Sequence, residues 1–332
     1  MKREKNKLVS VIVPVYNAAD TLEETLRSLL CQDEEITEII CVDDGSTDES
    51  RTILKRYADF ADNIRVVLNP KNQGTLMTRR NGVRVATGKY IMFVDSDDCL
   101  TDDTCAFLAK EMKNTGMDII NFSTEVFAES GVSEQVLACV REVLHITPGV
   151  FENTSLLDAV FVDKRVSMTM WNKIYRAEIV KEAFAQAPEG RFLSGEDVFI
   201  TFLCMYLAKK LMCTERVCYR YRVGSGISTT TTLTLKKMED FCAVSTLVER
   251  LHTFLDEECC FEIYQDAWES YRFMMMNDCI HKWLHYADAS QKADTFEILH
   301  RAWGTQNIFR HLVEHNNSME QQAEIADMLV DF

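Results

Sequence analysis

The chain has 332 residues, enough for one large domain with an appendage or for two domains. With 47% hydrophobic and 27% charged residues it is neither disordered nor fibrous. A formal net charge of −16 argues against nonspecific binding of nucleic acid or anionic lipid by the whole surface, which leaves only a local basic patch around Arg79, Arg80 and Arg84.

Twelve cysteines are scattered through apolar runs without a CxxC pair, which reads as small buried hydrophobes in a reducing compartment rather than a disulfide framework. The basic start, Met1 to Lys7, precedes an apolar run of only Leu8 to Val15, too short for a secretory core. No stretch approaches the roughly 20 residues of a membrane span. The expectation is a soluble, cytoplasmic protein.

In chain order, Leu8 to Val15 predicts a buried strand, and Asp20 is placed to cap a helix carrying Leu22, Leu26, Leu29 and Leu30 on one face. Ile39 to Val42 predicts a second strand, with Ser46 or Thr47 capping a helix that holds Ile53, Leu54 and Tyr57. A strand at Ile64 to Leu68, a helix at Leu76 to Ala86 and a strand at Tyr90 to Val94 follow. A helix from about Asp102 to Asn114 and a fifth strand at Asp118 to Phe122 complete the run. Strands buried on both faces and alternating with helices predict a doubly wound, mostly parallel α/β sheet flanked by helices.

After Phe122 the rhythm breaks. Residues 123–150 read as irregular strands and turns closed by Pro148-Gly149, followed by a helix over Thr154 to Phe161. Gly195-Glu196-Asp197 opens an apolar helix to about Ala208, and Leu211 to Arg222 alternates like a strand. A polar hinge fills 224–232. Beyond Leu235 there is no proline, and Phe241, Val244, Leu247, Val248 and Leu251 recur at helical spacing. The predicted division is 1–232, with 1–122 as a nucleotide-binding half and 123–232 as an acceptor half, and a C-terminal helical segment over 233–332.

The chemistry concentrates at strand ends. Asp95-Ser96-Asp97-Asp98 follows the fourth strand and admits three readings: a capped turn, a dehalogenase-type nucleophile, or a cation clamp for a diphosphate. The dehalogenase pattern belongs on a first strand with Thr or Val where this chain has Cys99. Asp43-Asp44-Gly45-Ser46 ends the second strand. It is either a helix start or a turn whose aspartate accepts a hydrogen bond from a base N–H, which favours uracil-like bases. One glycine there does not make a GxGxxG dinucleotide loop.

Pro14-Val15-Tyr16-Asn17 ends the first strand, and Tyr16 offers a ring for stacking. Glu196-Asp197 is either a carboxylate at the positive end of a helix or a general base. His281 and His285, four apart on a helix, read as polar surface rather than metal ligands. Phe273-Met274-Met275-Met276 reads as adaptable packing, and Trp171 as either core or a sugar platform.

Taken in order, Val9 to Asn17, Val42 to Asp48, Asn72-Gln73-Gly74, Arg79 with Gly82, Ala86 to Ile91 and Asp95 to Asp98 resemble the family 2 glycosyltransferases, inverting enzymes of the GT-A fold. Trp171 to Arg176, Glu196-Asp197-Val198 and Tyr219 to Arg222 look like later landmarks of members that build bacterial polysaccharides. The likeness covers about residues 8–228. Arg80 stands where the family often has Asn, and Gly224 to Ser228 departs from the usual ending.

The resemblance implies a UDP-sugar donor, a divalent metal (Mn²⁺ or Mg²⁺) and a glycan or lipid-linked saccharide acceptor at the inner face of the cytoplasmic membrane. It implies that Pro14, Tyr16, Asn17, Asp44, Arg79, Asp95 and Ser96 meet the nucleotide. Asp95 and Asp97 would hold the metal, and Asp197 would be the catalytic base. The C-terminal helices are left as a surface for a membrane or a protein partner. The alternatives are a noncatalytic nucleotide-sugar-binding or scaffold module on the same fold, and a sugar nucleotidyltransferase, which lacks its Gly-rich phosphate loop here.

Overall fold

A computed structural model describes residues 7–128, 132–224 and 233–314. The strand-to-helix alternation of the first hundred residues builds strands β1 (Val9–Val15), β2 (Thr37–Asp43), β3 (Ile64–Leu68) and β4 (Tyr90–Phe93). β1 pairs in parallel with β2 and β4, and β2 pairs in parallel with β3. Their side chains are buried on both faces, which is why they read as continuous apolar runs.

β5 (Cys99–Leu100), β6 (Ile119–Ala128), β7 (Gly149–Glu152), β8 (Lys173–Arg176) and β9 (Lys210–Val223) extend the sheet. The order is β3-β2-β1-β4-β8-β6-β9-β5, with β7 on β9. Here the parallel pattern gives way: β8 runs antiparallel to β4 and β6, whereas β9 is parallel to β6. The expected α/β class, a doubly wound sheet with a parallel nucleus and flanking helices, is the class observed.

Several local expectations are corrected. Asp20 does not cap the helix Leu22–Leu30; Thr21 precedes it, and its hydroxyl is turned to the Ser96 carbonyl instead. Ser46 and Thr47 do not cap the second helix, which starts at Ser50, with Asp48 Oδ1 accepting the Ser50 N–H at 3.0 Å. Residues 123–150 are more regular than expected. β6 runs on to Ala128, and a helix occupies Glu134–Val143 with Ser133 as its cap. The helix expected at Thr154 to Phe161 is a short turn, Ser155–Leu157, that widens into a π-helix over Asp158–Val162. Of the polar hinge, residues 225–232 lie outside the described residues.

By internal contacts the chain forms two compact units: Met1–Gly190 with Ile200–Gly226, and Arg191–Phe199 with Ile227–Phe332. The second unit holds the helices Leu235–Cys242, Val244–Glu257, Phe261–Tyr286, Lys292–Trp303 and Thr305–Glu314. Its interior is Met238, Leu247, Leu251, Leu255, Met276, Ile280, Trp283 and Leu299. No helix among the described residues is long and apolar enough to cross a membrane. All twelve cysteines are free thiols.

Candidate functional site

The direction of winding reverses beside β1. From β1 the chain moves to β2 and β3 on one side, then returns to place β4 on the other. Strand ends diverge at such a switch point and leave a crevice beyond their carboxyl ends. The ladder between β1 and β4 stops at Ile12–Phe93, with one further bond from Val94 N–H to the Ile12 carbonyl. Pro14 lies beyond that ladder, where its missing N–H costs no bond to β4. Tyr16 comes next and keeps 39% of its surface exposed, a large ring at the lip of the crevice.

The loops after β1 and β2 are stitched together. Ser46 Oγ accepts the Asn17 N–H at 3.0 Å, Asn17 Oδ1 accepts the Thr47 N–H at 2.8 Å, and Ser50 Oγ accepts the Ala18 N–H at 2.9 Å. Asn17 sits at φ 49°, a left-handed position that asparagine tolerates. Asp43 is fully buried and accepts from Gly45 N–H at 3.2 Å, from Ser46 N–H at 3.3 Å and from Arg51 Nε at 2.7 Å.

Asp44 is tied into the loop after β3. Its carboxylate accepts from Asn69 Nδ2 at 2.8 Å, from Gln73 N–H at 3.0 Å to each oxygen, and from Gly74 N–H at 2.9 Å. A carboxylate offers about four lone-pair positions, so a base N–H at Asp44 has to share one with this loop. Gly45, at φ 78°, lets that loop close: a Cβ there would lie 2.8 Å from the Asn72 nitrogen.

The acid loop after β4 is gripped from two sides. On one side, the Thr21 and Thr25 hydroxyls both donate to the Ser96 carbonyl at 3.0 Å. On the other, the Tyr219 hydroxyl accepts the Asp95 N–H at 3.1 Å and donates to Asp98 Oδ2 at 2.8 Å. The Arg222 N–H donates to Asp98 Oδ1 at 2.7 Å, and its Nε donates to the Asp97 carbonyl at 2.9 Å. The loop thus directs Asp98 inward, fully buried, and leaves Asp95 and Asp97 partly exposed. Arg79, buried on the helix Thr75–Val85, meets Asp95 Oδ1 at 2.7 Å.

Asp98 is buried beside two further carboxylates. Burial first, then the charges of Asp95 and Asp97, push the Asp98 carboxyl up to about 8. The position of Asp95 and Asp97 beside a buried, raised carboxyl is the observation against which a cation can be tested. Among the described residues no group of three or more His, Cys, Asp and Glu has the geometry of a closed metal site. Mg²⁺-type ions bound with phosphate need only one or two carboxylates, because the phosphates and water complete the shell. Asp95 and Asp97 fit that kind of site and not an all-protein cage.

Trp171 is core. It lies 6% exposed, stacked 4.5 Å from the Tyr219 ring and 5.0 Å from Tyr221, so it supports the strand that grips the acid loop. Lys173 beside it is fully buried, with its ammonium donating to the Ser167 and Thr169 carbonyls and to Asn172 Oδ1. Met275 and Met276 are buried packing residues. The His281 and His285 ring centroids lie 4.4 Å apart with the planes tilted by 49°, and burial, then His285, holds His281 below its usual range.

Asp197 belongs to the second unit, on the first turn of the helix Glu196–Leu207. Its Oδ1 accepts the Val198 N–H at 2.8 Å, as a carboxylate at a helix start does. Asp98, Tyr219 and Arg222 frame the acid loop, and local sequence pattern assigns none of them that role, because Tyr219 and Arg222 lie 121 and 124 residues from Asp98.

This is a doubly wound α/β domain with its polar residues gathered at the switch-point crevice. Residues 10–152 match the model of the family described as Glycosyl transferase family 2. It is 32% identical over 222 residues to glycosyltransferase YibD of Escherichia coli (strain K12), covering 67% of this chain and 62% of that protein. It is 31% identical over 219 residues to a poly(ribitol-phosphate) beta-glucosyltransferase of Bacillus spizizenii, covering 65% of this chain and 32% of that one. The chain thus spans less than two thirds of the length of these relatives. In fold it matches S. aureus TarS 1-349 with a TM-score of 0.62 at 21% identity, over 92% of this chain and 82% of that one. TarS 1-349 in complex with UDP-GlcNAc gives a TM-score of 0.59 at the same identity, over 92% and 90%.

Proposed function

We propose that the protein is an inverting glycosyltransferase that moves a sugar from a UDP-sugar to a hydroxyl of a glycan or lipid-linked saccharide in cell-surface polysaccharide synthesis. The single observation that carries this reading is the switch point, where an exposed Tyr16 and the acid loop Asp95–Asp98 follow the ends of the paired strands β1 and β4. The family of the domain and the names of its relatives favour sugar transfer over a binding or scaffold role.

In this reading Tyr16 stacks on the base, with Pro14 and Asn17 forming the floor beneath it. Asp44 reads the base N–H through a shared lone pair, or acts by fixing residues 69–74 around it. Arg79 and Ser96 border the nucleotide, and Arg79 also orients Asp95. Asp95 and Asp97 would hold Mn²⁺ or Mg²⁺, which when bound screens the charge of the departing diphosphate. Asp197 takes the proton of the acceptor hydroxyl as its oxygen forms the new bond to the sugar C1. The bond from C1 to the diphosphate oxygen breaks on the opposite face, so one displacement inverts the anomeric centre. The C-terminal helices remain the candidate surface for a membrane or protein partner.

A panel of UDP-, GDP- and TDP-sugars, read by Mn²⁺-dependent thermal shift and by slow donor hydrolysis, tests the donor. UDP without metal-dependent stabilisation would refute the nucleotide assignment. Asp197→Asn is expected to bind UDP normally and to lose transfer by about 10²–10⁴-fold. Normal transfer by that variant would remove the base.

A further inference from the structure

The turn that carries Asp197 is built by the C-terminal helical unit. Gly195 sits at φ 79°, and a Cβ there would lie 2.3 Å from Met275 Sδ and 2.6 Å from Val244 Cγ2. The backbone at this point is therefore pressed directly onto the helices Phe261–Tyr286 and Val244–Glu257, and only glycine fits. The Gly195 carbonyl accepts the first bond of the helix, from Phe199 N–H at 3.0 Å, and a second from the Tyr271 hydroxyl at 3.3 Å. Tyr271 is fully buried. Arg191, four residues upstream, faces Asp240 at 4.0 Å on the helix Leu235–Cys242. Three helices of residues 233–314 thus converge on residues 191–199.

From this geometry we infer that Tyr271 is a positioning residue for transfer: its hydroxyl fixes the Gly195 carbonyl and thereby the direction in which Asp197 presents its carboxylate. The inference rests on the reading of Asp197 as the base. It gives the C-terminal unit a task in the reaction that a mere surface for a partner does not explain. The phenol is kept protonated, and so kept a donor, by its burial and then by the charges of Asp197 and Glu196, which hold its ionisation well above the ordinary tyrosine range. A base displaced by a fraction of an ångström loses rate rather than donor affinity, because the donor is bound elsewhere.

The test uses the full chain with Tyr271→Phe, which removes one oxygen, beside Ile280→Val as a control. Ile280 is buried in the same helix, more than two turns beyond Tyr271. Two readouts are taken: UDP release from the UDP-sugar that the donor panel selects, and hydrogen exchange of the amides of residues 196–199. Tyr271→Phe is expected to lower kcat about tenfold with donor KM unchanged, and to speed exchange at those amides. Ile280→Val, whatever it does to the melting temperature, should change neither. Equal effects of the two variants, or an unchanged kcat and exchange in Tyr271→Phe, would overturn the inference. A fully active Asp197→Asn would instead overturn the underlying reading, while the exchange result would still decide whether Tyr271 holds the turn.

Discussion

Two acidic turns of nearly the same composition end β2 and β4, the strands that flank β1, and the fold partners them differently. After β2, Asp43 and Asp44 are matched bond for bond: Asp43 by Gly45, Ser46 and Arg51, and Asp44 by Asn69, Gln73 and Gly74. Their charge is absorbed by the protein, and the turn is a rivet between loops. After β4, Arg79 meets Asp95, but Asp98 is driven inward with the charges of Asp95 and Asp97 beside it and is raised to about 8. Burial beside like charges, rather than acidic composition, is what marks the turn after β4 as the candidate cation site.

That contrast can be broken at either turn. The largest effect is expected from Asp97→Asn, which should abolish the Mn²⁺-dependent thermal shift with UDP and lower turnover by about 10²–10³-fold. Asp43→Asn should leave the Mn²⁺ response in place. If both variants lose that response alike, the two turns are not functionally distinct. Next is Asp43→Ala, which leaves two buried N–H groups and Arg51 without their acceptor. It should cost about 2–4 kcal/mol in urea unfolding, with an unchanged slope.

The pH response sharpens the same comparison. Asp98 has its folded value raised from 3.8 to about 8, so its contribution to stability is complete below about pH 4 and is lost as pH rises through about 8. Without added divalent cation, stability should decline across that window by up to ~1.4 kcal/mol per pH unit. Asp98→Asn should flatten the decline, and Mn²⁺ with UDP should reduce it by neutralising the neighbours. A profile identical in wild type and Asp98→Asn would place the titration elsewhere.

The parallel half of the sheet was legible because its strands are buried on both faces and its helices carry one apolar stripe each. The mixed half was not. β6 passes from buried Phe122 into half-exposed Ser123 and Thr124 and exposed Glu125, and the helix Glu134–Val143 buries no residue, so these stretches show no core face. Within the site, acids at strand ends were visible as a local pattern. Asp98 was not separable from its neighbours, since its partners Tyr219 and Arg222 lie 121 and 124 residues away. Tyr271 was hidden for the same reason, 76 residues from the carbonyl it holds. The caps expected at Ser46 and Thr47 misled because both residues are tied to Asn17 in the loop after β1 instead.

The smallest expected effect falls on the exposed lip of the crevice. Tyr16 is 39% exposed, whereas Val15 before it is 1% exposed. Stacking on a nucleotide base contributes about 0.5–1.5 kcal/mol beyond area burial, so Tyr16→Ala should raise donor KM about three- to tenfold. The loss is uniform binding, made equally in ground and transition states, so kcat should stay within about twofold. Tyr16→Phe keeps the ring and should keep the affinity. The melting temperature should barely move in either variant, in contrast to Asp43→Ala. An unchanged KM in Tyr16→Ala would leave the β1 end as a plain turn and shift the base toward residues 69–74, where Asp44 already gathers the loop.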